Sequence, residues 1–151
     1  MKFRRVRDLV AGQTLLTLPA TATVREAARL MAERRVGAVL VVSPGNPGER
    51  LEGIFTERDV LNRVVAAGND PESTRLDAVM TADPRTVTPI ASALDALRAM
   101  HDGGFRHLPV IEAGRLIGVV SLRDFLASEF AELESEMRLR QSIANGGQTE
   151  A

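Results

Sequence analysis

Apolar positions along this chain fall into two rhythms, one of period two and one of period near four. Val36-Gly37-Ala38-Val39-Leu40-Val41-Val42 is an almost unbroken β-branched run, which predicts a strand covered on both faces. Ahead of it, Thr21 and Thr23 precede Val24, Ala27, Ala28 and Met31 on one face, the spacing of an amphipathic helix. Residues 15–18 read as a short strand before that helix. Pro44, Gly45, Pro47 and Gly48 make 43–50 a loop. A strand over 51–55 follows, and a helix over 58–67 with Val60, Leu61, Val64 and Val65 on its apolar side closes the unit.

The same order then recurs. The pattern predicts a strand at 85–87, a helix over 93–101, a strand over 105–111, a turn at 112–115, a strand over 116–120 and a helix from Leu122. Gly53-Ile54-Phe55-Thr56-Glu57-Arg58-Asp59 returns 65 positions later as Gly118-Val119-Val120-Ser121-Leu122-Arg123-Asp124, and Met31 returns as Met100, 69 positions on. The difference of four is the longer loop of the first copy, where insertion is cheap. Short apolar-polar segments, 6–10 and 76–80, introduce the two copies. The chain therefore divides into a first repeat at 1–68, a linker at 69–75, a second repeat at 76–130 and a C-terminal extension at 131–151. Each repeat is β-α-β-β-α, so the fold class is α+β, mixed, with the two repeats packed through their sheets.

The last helix, continued by the extension, carries Leu126, Phe130, Leu133 and Met137 as a stripe, with Glu134/Arg138 and Glu136/Arg140 as i,i+4 pairs. The stripe suits pairing of two chains, or packing on its own domain. Residues 145–151 are expected to fray.

The repeated turn is the first candidate for chemistry. A strand running through Gly-x-x-Ser/Thr into a helix places the hydroxyl at the N-cap, where unpaired N–H groups favour an anion and Arg58 or Arg123 adds charge. The carboxylate of Asp59 or Asp124 suits a pair of hydroxyls such as a ribose presents. The same spacing is also a capping box that merely satisfies the first helical turn, as expected at Thr23–Glu26 and Ser92–Asp95. The second candidate is Phe105-Arg106-His107-Leu108-Pro109-Val110, in which two polar residues open an apolar strand and Pro109 implies irregular pairing. The first copy has Gly37 and Ala38 at the matching places, which makes the two sites unequal.

Composition narrows the classes. In 151 residues with a formal net charge of −1 there is no excess charge to recruit nucleic acid or an acidic membrane. Cysteine is absent, so disulfides and thiolate chemistry are excluded, and no apolar run reaches the roughly 18 residues of a membrane span. A soluble, cytoplasmic protein is expected. His101 and His107, the two histidines, stand in no sequence-readable triad or metal set. We expect no catalytic residue, no metal and no enzymatic activity.

Taken together, Thr86-Val87-Thr88-Pro89, the 103–110 segment, Gly114 to Ser121 and the two turns resemble a tandem pair of cystathionine-β-synthase (CBS) domains over about residues 6–130. That resemblance implies two repeats about a pseudo-twofold axis with adenosine-type ligands of the AMP, ADP or ATP class in clefts between them. By the same resemblance Asp59 and Asp124 take ribose hydroxyls, Thr56 and Ser121 phosphate or ribose, and Arg58 and Arg123 phosphate. Thr86, Val87, Thr17 and Leu18 border the base, while Arg106, His107 and Pro109 line the second pocket. It implies no required cofactor, only an adenine nucleotide as regulatory ligand. The implied partners are a second copy in a flat homodimer and an effector protein that the sequence does not name. The alternative is a ligand-free dimerisation or interaction module whose turns are only caps.

Overall fold

A computed structural model describes residues 4–46 and 48–146. Pro47, the first three residues and 147–151, including most of the segment expected to fray, lie outside the described residues. In order the elements are α1 (Val6–Val10), β1 (Thr17–Leu18), α2 (Val24–Arg34), β2 (Ala38–Ser43), β3 (Arg50–Thr56) and α3 (Glu57–Asp59), which runs on as a π-helical stretch, Val60–Val65. Then come α4 (Leu76–Val79), β4 (Thr81–Ala82), α5 (Ala93–Gly103), β5 (His107–Glu112), β6 (Arg115–Ser121) and α6 (Leu122–Gly146).

The apolar run of β2 is explained by its two faces. Val39 and Val41 point into one core with Val24, Ala27, Met31, Phe55 and Leu76. Ala38, Leu40 and Val42 point the other way and meet Ile54 and Leu116, with Ile111 and Val119 packed alongside. That second layer joins the sheets of the two repeats. The second repeat buries its own core of Ala93, Ala96, Met100, Leu108, Val110, Val120 and Phe125.

The introductory segments pack crosswise. Val6 and Val10 of α1 belong to the core of the second repeat, and Leu76 and Val79 of α4 to the core of the first. The backbone repeats the exchange: Val6 and Arg7 donate to the carbonyls of Ala91 and Pro89, as Leu76 and Asp77 donate to those of Ala22 and Ala20. Each segment ends over a glycine of the other half's strand. A Cβ on Gly118 would stand 2.8 Å from Val10 Cβ, and one on Gly53 would stand 2.6 Å from Met80 Sδ. The glycine of the repeated turn is thus a packing residue, required because a helix end lies on it.

The two sheets differ. The first is four-stranded in the order β1-β2-β3-β4, whereas the second has only β5 and β6 paired. The strand expected at 85–87 shrinks to a single parallel bridge between Val87 and Val110. Its cause is Pro109. In the first repeat Leu40 N–H donates to the Leu16 carbonyl at 3.0 Å; Pro109 occupies the equivalent place and has no N–H to give. Among the described residues no strand stands to β6 as β4 does to β3, and a side chain takes that place: Gln13 Nε2 donates to the Val119 carbonyl and Gln13 Oε1 accepts from Val119 N–H, both at 2.9 Å. One amide side chain thereby caps the edge that a strand covers in the other repeat.

The helix expected over 58–67 is α-helical only through Asp59. The wider turn that follows shows in the bonds from Ala66 N–H to the Leu61 carbonyl and from Asn69 N–H to the Val64 carbonyl. Arg63 holds this stretch to α4, donating to the carbonyls of Val79 and Met80 at 3.1 and 2.8 Å.

The crosswise packing makes a prediction. Gly118→Ala leaves the backbone unstrained but drives a methyl into Val10, and should cost about 1–3 kcal/mol. Combined with Val10→Ala, the loss should be smaller than the sum of the single losses by at least about 0.5 kcal/mol in a denaturant double-mutant cycle. Additive losses would mean that α1 does not rest on this strand.

Candidate functional site

A cleft of about 990 Å³ opens where the ends of α2 and β2 from the first repeat face β5, β6 and the start of α6 from the second. The pairing register places its floor, because His107 is the partner of Ser121 just as Ala38 is of Thr56. Five of the residues singled out in the sequence line it: Arg106, His107, Ser121, Arg123 and Asp124.

The other eight lie elsewhere. Thr17 and Leu18 border a separate groove with Ser43, Pro44 and Glu49. Thr86 is exposed, Val87 sits in its bridge to Val110, and Pro109 is buried in β5. Thr56, Arg58 and Asp59 are committed to other bonds. Asp59 Oδ2 accepts from Thr56 N–H at 2.9 Å, its Oδ1 pairs with Arg63 Nε at 3.5 Å, and Arg58 Nη1 crosses the repeats to the Gly104 carbonyl at 3.0 Å.

Both turns form the capping box. Asp124 Oδ2 accepts from Ser121 N–H at 2.9 Å and Asp124 N–H donates to Ser121 Oγ at 3.2 Å. The next N–H, that of Leu122, donates to the Arg106 carbonyl at 2.9 Å. The first N–H groups of this helix end are therefore already engaged within the fold. Among the described residues, Asp124 uses only one of its two oxygens in these bonds, while Asp59 uses both.

The lining residues that sequence reasoning did not single out include Gln13, Arg35 and Glu57, and also Gly37, which it noted only as the first copy's counterpart of Arg106. Arg35 ends α2 in the left-handed region, with φ 55°. The signal was available, since Arg35 aligns with Gly104, which ends α5 at φ 70°. Gly37 matters by what it leaves open: a Cβ there would stand 3.1 Å from Glu57 Oε1 and 3.2 Å from His107 Nε2. The imidazole of the second copy thus reaches into the space beside the first copy's matching position, which accounts for their inequality.

Electrostatically the cleft gathers the guanidiniums of Arg35, Arg106 and Arg123 against the carboxylates of Glu57 and Asp124. Among the described residues none of the three guanidiniums has an ion pair or hydrogen-bond partner. Burial pushes the His107 pKa below its ordinary 6.5; Glu57 and Asp124 oppose that shift and Arg106 adds to it. His107 is accordingly neutral at pH 7. Among the described residues, no three His, Cys, Asp or Glu side chains cluster to hold a metal. No helix of the described residues is long and apolar enough to cross a membrane.

The CBS-domain family model matches residues 6–66 and 76–129. The chain belongs to the CBS-domain family. It is 36% identical over 127 residues to the CBS domain-containing protein CBSX3, mitochondrial, of Arabidopsis thaliana, covering 83% of this chain and 61% of that one. It spans about a quarter of the length of other Arabidopsis CBS-domain proteins it matches. Among solved structures it resembles a protein with CBS domains from Burkholderia ambifaria MC40-6, at 34% identity and a TM-score of 0.77, covering 85% of this chain and 95% of that one. A CBS domain protein from Pyrobaculum aerophilum, complexed with AMP, is 31% identical with a TM-score of 0.70, covering 80% and 89%.

His107 supplies a pH prediction. As pH falls, the unfolded chain takes up its histidine proton near the ordinary value while the folded chain resists. The stability held above about pH 6.5 is therefore lost on acidification until the lowered folded pKa is reached. In thermal unfolding between pH 7.5 and 5.5, the stability of wild type relative to His107→Asn should decline; parallel pH profiles would rule out a proton-excluding His107.

Proposed function

We propose that this CBS pair is a regulatory module that binds an adenosine-type nucleotide of the AMP, ADP or ATP class in the cleft between its repeats. The observation that carries this reading is the convergence, on one cleft, of three arginines whose guanidiniums have no partner among the described residues, beside Asp124, which has an oxygen to spare among them. Cations without counterions suit phosphate, and a carboxylate beside them suits the vicinal hydroxyls of a ribose. The AMP complex of the Pyrobaculum relative supports the ligand class. In this reading the module reports adenylate state, acts without chemistry of its own and works in the cytoplasm, although the plant relative carries a mitochondrial name.

Signalling follows from where the cleft lies. Its walls belong to different repeats, so a ligand touching both binds some inter-repeat arrangements better than others and shifts the population toward them. The readout is a second copy or an effector protein. Leu126, Phe130, Leu133 and Met137 of α6 are each more than half exposed, an apolar stripe suited to a homodimer contact.

The ligand-free interaction module remains the second reading, favoured by the completed capping boxes and by the tie of Arg58 to Gly104. One experiment separates them. Thermal unfolding with millimolar AMP, ADP or ATP should show stabilisation of about 2.7 kcal/mol at a hundred times the dissociation constant, a shift of roughly 5–10 °C at this size. Asp124→Ala, compared with its own ligand-free baseline to remove the lost cap of about 1 kcal/mol, should abolish the shift. No shift in wild type with any of the three would leave only the interaction module.

A further inference from the structure

We propose that Arg35 is a ligand-binding residue, the arm by which the first repeat grips the outer phosphates of a di- or triphosphate seated in the cleft. The proposal rests on the nucleotide reading for the nucleoside, and on its own observations for the anion.

The starting observation is backbone strain. Arg35 caps α2 at φ 55° and ψ 43°, with its N–H directed at the carbonyls of Ala32 and Met31. Helices that end in this conformation favour glycine, because a β-carbon crowds the backbone there. The equivalent helix end in the other half carries glycine: α5 ends with Gly104, at φ 70°. Strain that persists beside a site points to a use for the side chain.

Folding supplies no such use among the described residues. Arg35 is exposed and has no ion pair or hydrogen bond from its side chain there. It shares the cleft with Arg106 and Arg123, and the repulsion among three like charges is offset only in part by the two carboxylates of Glu57 and Asp124. The related position in the other half is resolved differently. There Arg58 donates to the carbonyl of Gly104, and the residue capping the helix brings no second cation.

The charge balance suggests the ligand. Asp124 is set aside for hydroxyls and Glu57 lies beside Gly37 and the neutral His107, while three guanidiniums, two from one repeat and one from the other, line the cleft to meet a bound anion. A monophosphate, with about two negative charges, is matched by Arg106 and Arg123 on its own repeat. A third guanidinium, arriving from the other repeat, matches the added charge of a longer phosphate chain.

The test uses the whole chain, with Arg35→Gly and Arg35→Gln, titrated calorimetrically with AMP, ADP, ATP and inorganic tripolyphosphate. Arg35→Gly should raise the melting temperature of the free protein by about 2–4 °C as strain is relieved. It should also weaken ATP and tripolyphosphate by about tenfold or more while leaving AMP within about threefold. Arg35→Gln should show the same binding loss without the gain in stability. An unchanged ratio of ATP to AMP affinity in both variants overturns the proposal. Arg35-dependent binding of tripolyphosphate with no binding of any nucleotide supports the arm and removes the nucleoside reading. A wild-type protein that binds neither removes both.

Discussion

The contact between the two sheets governs the rest of the molecule. Ala38, Leu40 and Val42 can be buried only against another apolar face, and Ile54, Leu116 and their neighbours on the facing sheet provide it. In a chain this short neither repeat has enough interior to stand alone, so burying this layer is a condition of folding. Once the sheets meet, the ends of β2 and β3 must lie close to those of β5 and β6. The cleft is the space left at that junction, and its polar lining is what the turns happen to present there.

Within that frame the pseudo-symmetry is broken at a few places, and each break has a local cause. Pro109 withholds one N–H, which reduces a strand to a bridge. Gln13 replaces a strand with an amide. Gly37 yields space that His107 enters. The two aspartates of the repeated turn diverge for the same sort of reason: Arg63 engages Asp59, while the matching place after Asp124 is held by Ser128, which accepts from Arg4, and the spare oxygen of Asp124 stays available among the described residues. One cleft therefore collects charge while the matching residues of the other repeat neutralise one another.

The sequence carried the repeat, the order of elements and the strand faces, because each is written as local periodicity. Five of the residues it singled out meet in one cleft, since the turn and the strand bearing them are register partners. The other eight do not: Arg58 and Asp59 are taken up by Gly104 and Arg63, the Thr17 segment opens onto a different groove, and Pro109 is buried in its strand. The crosswise packing of α1 and α4 was not legible: an apolar segment of five residues fits either core, and only three-dimensional closure decides. Arg35 was missed for another reason: an arginine does not itself signal a positive φ, and the signal lay only in the glycine at the matching position, Gly104.

The exchange of α1 and α4 bears on how such a chain could have arisen. Each repeat lacks the helix that covers its own glycine and receives it from the other half. A single repeat made alone would expose that glycine strand and offer its leading helix to a neighbour, so two identical copies would interlock reciprocally. Joining them end to end turns that mutual exchange into an internal one. It also frees the halves to diverge, which an identical pair cannot do, and so permits one cleft to keep its charges while the other gives them up.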